Sequence, residues 1–176
     1  TVSSGNLAID DADTQAIDDA YSKTAGSFSK ANLSLSRIKQ LSSRWQYYLS
    51  LQAQAASKNL NSSEKMSLGG AYGVRAYPQG EASGDEGVLF SCELRYLVKS
   101  NLQLIGFLDG GAVTLNKNPW ASAVNHRSLF GAGIGVAWSK ARDYSIRLDY
   151  AWKLGSEMAV SDTDKNGRFW FTGTKY

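Results

Sequence analysis

From Phe28 to the end of the chain, apolar side chains return at every second position, and this period dictates extended strands. In the cleanest run, Ile146, Leu148, Tyr150, Trp152 and Leu154 oppose Ser145, Arg147, Asp149, Ala151 and Lys153. A helix repeats every 3.6 residues and would scatter these two sets around its surface. Seven more runs follow the same rule. Two cover about 28–41 and 44–58, split by Ser42-Ser43, with Leu33, Leu35, Trp45, Tyr47, Leu49 and Leu51 on one face. A third, 65–75, sets Met66, Leu68, Gly70, Tyr72 and Val74 against Lys65, Ser67, Gly69, Ala71, Gly73 and Arg75. A fourth sets Phe90, Cys92, Leu94, Tyr96 and Val98 against Ser91, Glu93 and Arg95, and a fifth runs to about Leu115. The sixth has Phe130, Ala132, Ile134, Val136 and Trp138 opposite Gly131, Gly133 and Gly135; after the seventh, 145–154, the eighth is Arg168 to Tyr176. The short connections make the strands antiparallel. Residues 8–27, with five aspartates up to Asp19, read as a weakly helical acidic connection that follows the end of an upstream strand.

Alternation alone does not distinguish a soluble sandwich from a membrane barrel, because each has one apolar face. Three details favour the barrel. The apolar faces end in Trp or Tyr (Trp45, Tyr96, Trp138, Tyr150, Trp152), short turns alternate with long loops over the last four connections, and the final strand closes on an aromatic. A membrane helix is excluded. A span needs ~20 apolar residues, whereas the longest weakly polar run, 129–138, has ten residues of which three are glycine.

Net charge is +3, with −5 in residues 1–20, too mild a basic excess to indicate nucleic acid. Cys92 is the sole cysteine, so there is neither an intrachain disulfide nor a cysteine zinc cluster. With a single histidine, His126, and no nucleophile or phosphate-loop motif, the chain reads as a non-enzyme. Asp162-Thr-Asp-Lys-Asn-Gly167 copies half of a calcium loop, but Gly173 stands where the closing glutamate belongs; no metal is expected. The chain opens at Thr1 without a signal sequence and reads as part of a longer protein.

The stretch from Gly69 to Gly87, containing Gly69-Gly70, Val74-Arg75-Ala76-Tyr77 and Gly84-Asp85-Glu86-Gly87, runs on to Glu93-Leu-Arg-Tyr96. Phe107-Leu-Asp109-Gly-Gly111 follows. Together these closely resemble the motifs of the two-partner secretion transporters, the haemolysin activation/secretion proteins of the ShlB/FhaC/HecB type. The resemblance implies eight strands of a sixteen-stranded outer-membrane β-barrel (residues 28–176), an all-β antiparallel transmembrane fold. The other barrel half and the periplasmic POTRA domains lie outside these residues. It implies residence in the outer membrane of a Gram-negative bacterium and passage of a hemolysin- or adhesin-like exoprotein to the cell surface. Its partners are that exoprotein, outer-membrane lipid and the barrel-assembly machinery, with no cofactor. The alternatives are an outer-membrane protein-insertion barrel or a small ligand-binding eight-stranded barrel.

The resemblance also implies that loop 77–87 folds into the lumen, with Arg75 bound to Asp109 and Glu93. Strand parity puts all three on the lumen face, and a guanidinium fork suits two carboxylates. Gly69, Gly70, Gly84, Gly87 and Gly111 are the motif glycines, and Phe169, Phe171 and Tyr176 the C-terminal strand signal. Ala76 stands where the family has glycine; if that position needs positive φ or close packing, its methyl costs ~1 kcal/mol. The small-residue stripes of Gly131, Gly133 and Gly135 and of Gly69, Ala71 and Gly73 suggest an object packed against the inner wall, the alternative being simple barrel curvature. If Tyr176 ends in the periplasm, loops 77–87, 116–127 and 156–167 are extracellular, whereas 59–63, 99–101, 141–143 and the connection 8–27 are periplasmic.

Overall fold

A computed structural model describes all residues, 1–176. Its strands are β1 (Val2–Leu7), β2 (Gly26–Gln40), β3 (Trp45–Ala56), β4 (Met66–Ser67), β5 (Ser83–Gly84), β6 (Glu86–Lys99), β7 (Leu102–Thr114), β8 (His126–Lys140), β9 (Tyr144–Lys153) and β10 (Gly167–Lys175). One helix, α1 (Ala12–Ala20), joins β1 to β2, and Asp11 caps it by accepting from the Thr14 amide at 2.8 Å. Eight strands form one antiparallel sheet in the order β1-β2-β3-β6-β7-β8-β9-β10, with β1 and β10 as its edges. The paired two-residue strands β4 and β5 stand apart from it.

The count of eight holds, but its membership differs from the sequence reading. Residues 65–75 are not a wall strand. After β4 the chain leaves extended geometry: Gly70 takes φ +129°, and the Gly73 amide donates to the Gly70 carbonyl at 3.0 Å. Three glycines in five residues oppose a strand. β1 takes the vacant place. The span from 57 to 85 is therefore a single connection between β3 and β6, and it folds over one face of the sheet.

That change also corrects the expected sidedness. Residues 59–63 do not turn at the end opposite the long loops. Asn59 donates to the carbonyls of Ser22 at 2.8 Å and Asn118 at 2.9 Å, so this segment, the α1 connection and loop 115–125 share one end of the sheet. The connection 8–27 thus lies at the long-loop end, not among the short turns. Turns 41–44, 100–101 and 141–143 occupy the other end.

The two faces are inverted relative to a water-soluble sheet. On the bare face Leu35, Phe90, Leu94, Leu108, Ile134, Tyr150, Phe169 and Phe171 are exposed. On the covered face Arg75, Glu81, Glu93, Asp109 and Asp149 are buried. This arrangement is stable where hydrocarbon, not water, wets the apolar side. Trp45 and Tyr96 (ring centroids 4.8 Å apart) and Trp138 and Tyr144 (5.1 Å) ring the short-turn end of that side, as interfacial aromatics do. The core lies between sheet and connection: Leu68, Val74, Ala76 and Tyr77 pack on Leu89, Ile105, Phe107, Val113, Leu129 and Ala151.

Candidate functional site

The covered face can be read row by row from the strand register. Ser91, Asp109, Gly131 and Lys153 lie side by side on β6 to β9, and the next row is Glu93, Phe107, Gly133 and Ala151. One row further come Arg95, Ile105, Gly135 and Asp149. Glycines in three successive rows leave a shallow trough, and the connection lies in it. A Cβ on Gly131 would stand 2.7 Å from the Ala76 Cβ, and one on Gly111 would stand 2.7 Å from Leu68 Cδ2. Phe107 and Asp149 reach across the spaces above Gly133 and Gly135. Gly84 and Gly87 press on Val113 in the same way. Gly69 backs onto Pro78 and Glu81 within the loop itself, so the connection folds tightly on itself where it lies on the wall.

Arg75 enters this trough from the loop, not from a strand, so parity was the wrong reason for its placement. Its guanidinium forks Asp109, Nε to Oδ2 and Nη2 to Oδ1, both at 2.8 Å. The Arg75 amide also donates to Asp109 Oδ2 at 3.2 Å, and Nη2 donates to Ser91 Oγ at 3.2 Å. Nη1 donates to Glu93 Oε1 at 2.9 Å and to Asp149 Oδ2 at 3.4 Å. The guanidinium carbon lies 3.4 Å from the Phe107 ring centroid, stacked on its face. Trp170 of β10 donates its indole N–H to the Arg75 carbonyl at 2.7 Å. One residue thus ties the loop to β6, β7, β9 and β10.

The motif residues around it have separate tasks. Val74 closes the loop's own turn, its amide donating to the Leu68 carbonyl at 2.7 Å. Tyr77 is fully buried; its hydroxyl donates to the Glu157 carbonyl at 3.1 Å, and Lys153 lies 4.7 Å from its ring centroid. Ala76 is not among the residues with positive φ, so its methyl carries no backbone strain, and Gly131 gives it room. Asp85 accepts from the amides of Leu60 at 3.0 Å and Lys117 at 2.8 Å and pairs with Lys65 at 3.1 Å. Phe169, Phe171 and Tyr176 are exposed, the two phenylalanines on the bare face of β10.

The sequence reading overlooked several partners. Arg147 and Lys153, to which the sequence assigns no partner, are paired: Arg147 Nη2 donates to Glu93 Oε1 at 2.8 Å and its Nε to Asp149 Oδ2 at 2.7 Å, while Lys153 pairs with Asp164. Strand parity had placed Arg147 and Asp149 on the right face, but not at the height of Glu93. At the long-loop end, buried Glu81 accepts from the Val160 amide (3.0 Å), the Ser161 amide (2.9 Å) and the Ser161 hydroxyl (2.6 Å), and it pairs with Arg127. Desolvation pushes this carboxyl up, but the hydrogen bonds from Ser161, Arg127 and Val160 outweigh it and hold the carboxyl below its ordinary value. In the calcium-like stretch, Asp162 and Asp164 face cations of the chain itself, Arg168 and Lys153.

Comparison with known proteins gives these features a context. The family description "Haemolysin secretion/activation protein ShlB/FhaC/HecB" matches residues 6–138. The heme/hemopexin transporter protein HuxB of Haemophilus influenzae (strain 86-028NP) is 33% identical over 155 residues, covering 84% of this chain and 27% of HuxB. The outer membrane transporter CdiB of Dickeya dadantii is 30% identical over 132 residues, 72% of this chain and 23% of that protein. In fold the chain is similar to CdiB from Escherichia coli, with a TM-score of 0.71, 20% identity, and coverage of 88% of this chain and 29% of that one. It is also similar to CdiB from Acinetobacter baumannii, with a TM-score of 0.62, 23% identity, and coverage of 87% and 28%. The chain spans about a quarter of the length of the curated relatives it matches. With a family match over most of its length, an apolar face turned outward and the arginine-bearing loop seated on the inner one, the chain belongs to the ShlB/FhaC/HecB haemolysin secretion/activation family of the Gram-negative outer membrane.

Proposed function

We propose that this chain is the C-terminal wall of a pore that passes a secreted polypeptide outward in two-partner secretion. The observation that carries this reading is the loop seated by Arg75 on the inner face, on the path that a translocating chain must use. The edge strands β1 and β10 have free backbone groups, which hydrocarbon does not satisfy, so the working barrel needs further strands from the same transporter. Its partners are then the exoprotein, the rest of the barrel with its POTRA domains, surrounding lipid and the assembly machinery that inserts it. We assign no catalytic step to the site, since its inner-face carboxylates are engaged by arginines. A ligand-binding barrel of eight strands is disfavoured, because the sheet does not close.

The test is secretion by the complete transporter co-expressed with its exoprotein. The exoprotein is expected in the medium when the transporter is present and in the periplasm when it is deleted. Equal release in both strains refutes the assignment.

A further inference from the structure

We infer that Arg147 tunes how tightly the loop is held, weakening the grip of Arg75 by competing for the same carboxylates. Glu93 Oε1 accepts from Arg75 at 2.9 Å and from Arg147 at 2.8 Å. Asp149 Oδ2 accepts from Arg75 at 3.4 Å and from Arg147 at 2.7 Å. Both oxygens are shared, and Arg147 holds the shorter bond on each. Arg95 adds a further claim on Glu93, Nε to Oε2 at 2.8 Å. Only Asp109 pairs with Arg75 alone among the cations.

Charge balance gives this sharing a direction. The wall contributes three carboxylates (Glu93, Asp109, Asp149) and two guanidinium groups (Arg95, Arg147). With Lys153 of the same face balanced by Asp164, this cluster presents one net negative charge, which Arg75 neutralises. When the loop leaves, Glu93 and Asp149 keep their partners on the wall, and only Asp109 is stranded, with Ser91 donating to it at 2.7 Å. A loop held by three otherwise unpaired carboxylates would be fixed, because a stranded buried charge is costly. Arg147 makes the seat a reversible one. Arg147 belongs to β9 and both its partners are wall residues, so it stays in place when the loop moves.

The inference rests on the proposed function, in which the loop lies on the path of the translocating chain and so has to leave its seat, but its test does not use transport. Hydrogen exchange is measured on the folded full-length transporter in detergent, over peptides covering 68–82. Arg75→Ala should exchange faster than wild type. Arg147→Gln should exchange more slowly, by about three- to five-fold, the scale of one partly exposed ion pair. Arg147→Lys keeps the charge and should stay close to wild type. If Arg147→Gln does not assemble, Arg95→Gln removes one cation from the same wall and should slow exchange in the same direction. Unchanged or faster loop exchange in whichever glutamine variant assembles overturns the inference, since Arg147 would then merely support the seat. A secretion defect without these exchange changes would leave the transport reading standing and this one refuted.

Discussion

Ala76 and Gly131 touch as a matched pair: the methyl of one fills the space that the missing side chain of the other leaves, with a Cβ at position 131 falling 2.7 Å from that of Ala76. Ala76 is fully buried, and the contact joins the arginine loop to β8 in the same row as Asp109. The wall glycine thus leaves the room that the Ala76 methyl occupies. Gly131→Ala should loosen the loop by about 1–3 kcal/mol, the usual cost of overpacking. Ala76→Gly should cost ~1 kcal/mol through lost burial and added chain freedom. The double exchange Ala76→Gly with Gly131→Ala should be milder than Gly131→Ala alone. A thermal-denaturation cycle on the full transporter reads this coupling, and strict additivity would contradict it.

Glu81 provides a pH-dependent clamp between the loop and residues 160–161. Its carboxyl is held below the ordinary value of 4.5 by hydrogen bonds to the charged form that outweigh desolvation. A lowered folded value means that the stabilisation is complete above the ordinary value and lost as pH falls through the folded one. Relative to an unstructured peptide substrate digested alongside, pepsin should spare segment 154–166 at and above the ordinary carboxylate value and cut it progressively as pH falls below it. Glu81→Gln should be cut across that whole range. Equal sensitivity of wild type and variant would refute the clamp.

Sidedness is testable by thiol labelling in a Cys92→Ala background. With the loop connections outside the cell, Ser122→Cys should react with an impermeant maleimide on whole cells and Ser100→Cys should not. The α1 connection belongs with Ser122, because Asn59 bridges Ser22 and Asn118, so Asp13→Cys should also label from outside. Labelling of Ser100→Cys alone would invert the topology.

The isolated chain should form an open sheet, since no strand pairs with the outer edge of β1 or β10. Reconstituted alone in planar bilayers, it should not form stable conducting pores. Regular single-channel steps from the monomeric chain would contradict this.

How far the sequence disclosed this site depended on periodicity. Where residues alternate without interruption, as in β8 and β9, faces follow directly, and Phe130, Ile134 and Trp138 lie on the bare side as their spacing demands, although β8 already begins at His126, inside the expected loop 116–127. Residues 65–75 also alternate, but three glycines remove the strand preference that gives alternation its meaning; a period of two there described no strand. The charges of the site were visible as residue types on one face. Their association was not, because register sets the height of each row. Arg147 and Glu93 lie 54 positions apart, and β7 and β8 separate their strands in the sheet. Trp170 and Glu81 gave no signal, since each engages loop backbone that local pattern does not position.

Arg75 seats the loop, and under the proposed function secretion depends on that seat whereas the wall stands without it. Arg75→Ala leaves Asp109 without its cation, a loss of about 3–5 kcal/mol at a buried pair, confined to the loop seat. Secretion of the exoprotein by the complete Arg75→Ala transporter, measured beside heat-modifiable gel mobility, is the most direct test. The expected result is a barrel that keeps its heat-modifiable fold and a loss of most exoprotein from the medium, with partial recovery in Arg75→Lys. Wild-type secretion by Arg75→Ala would contradict the account.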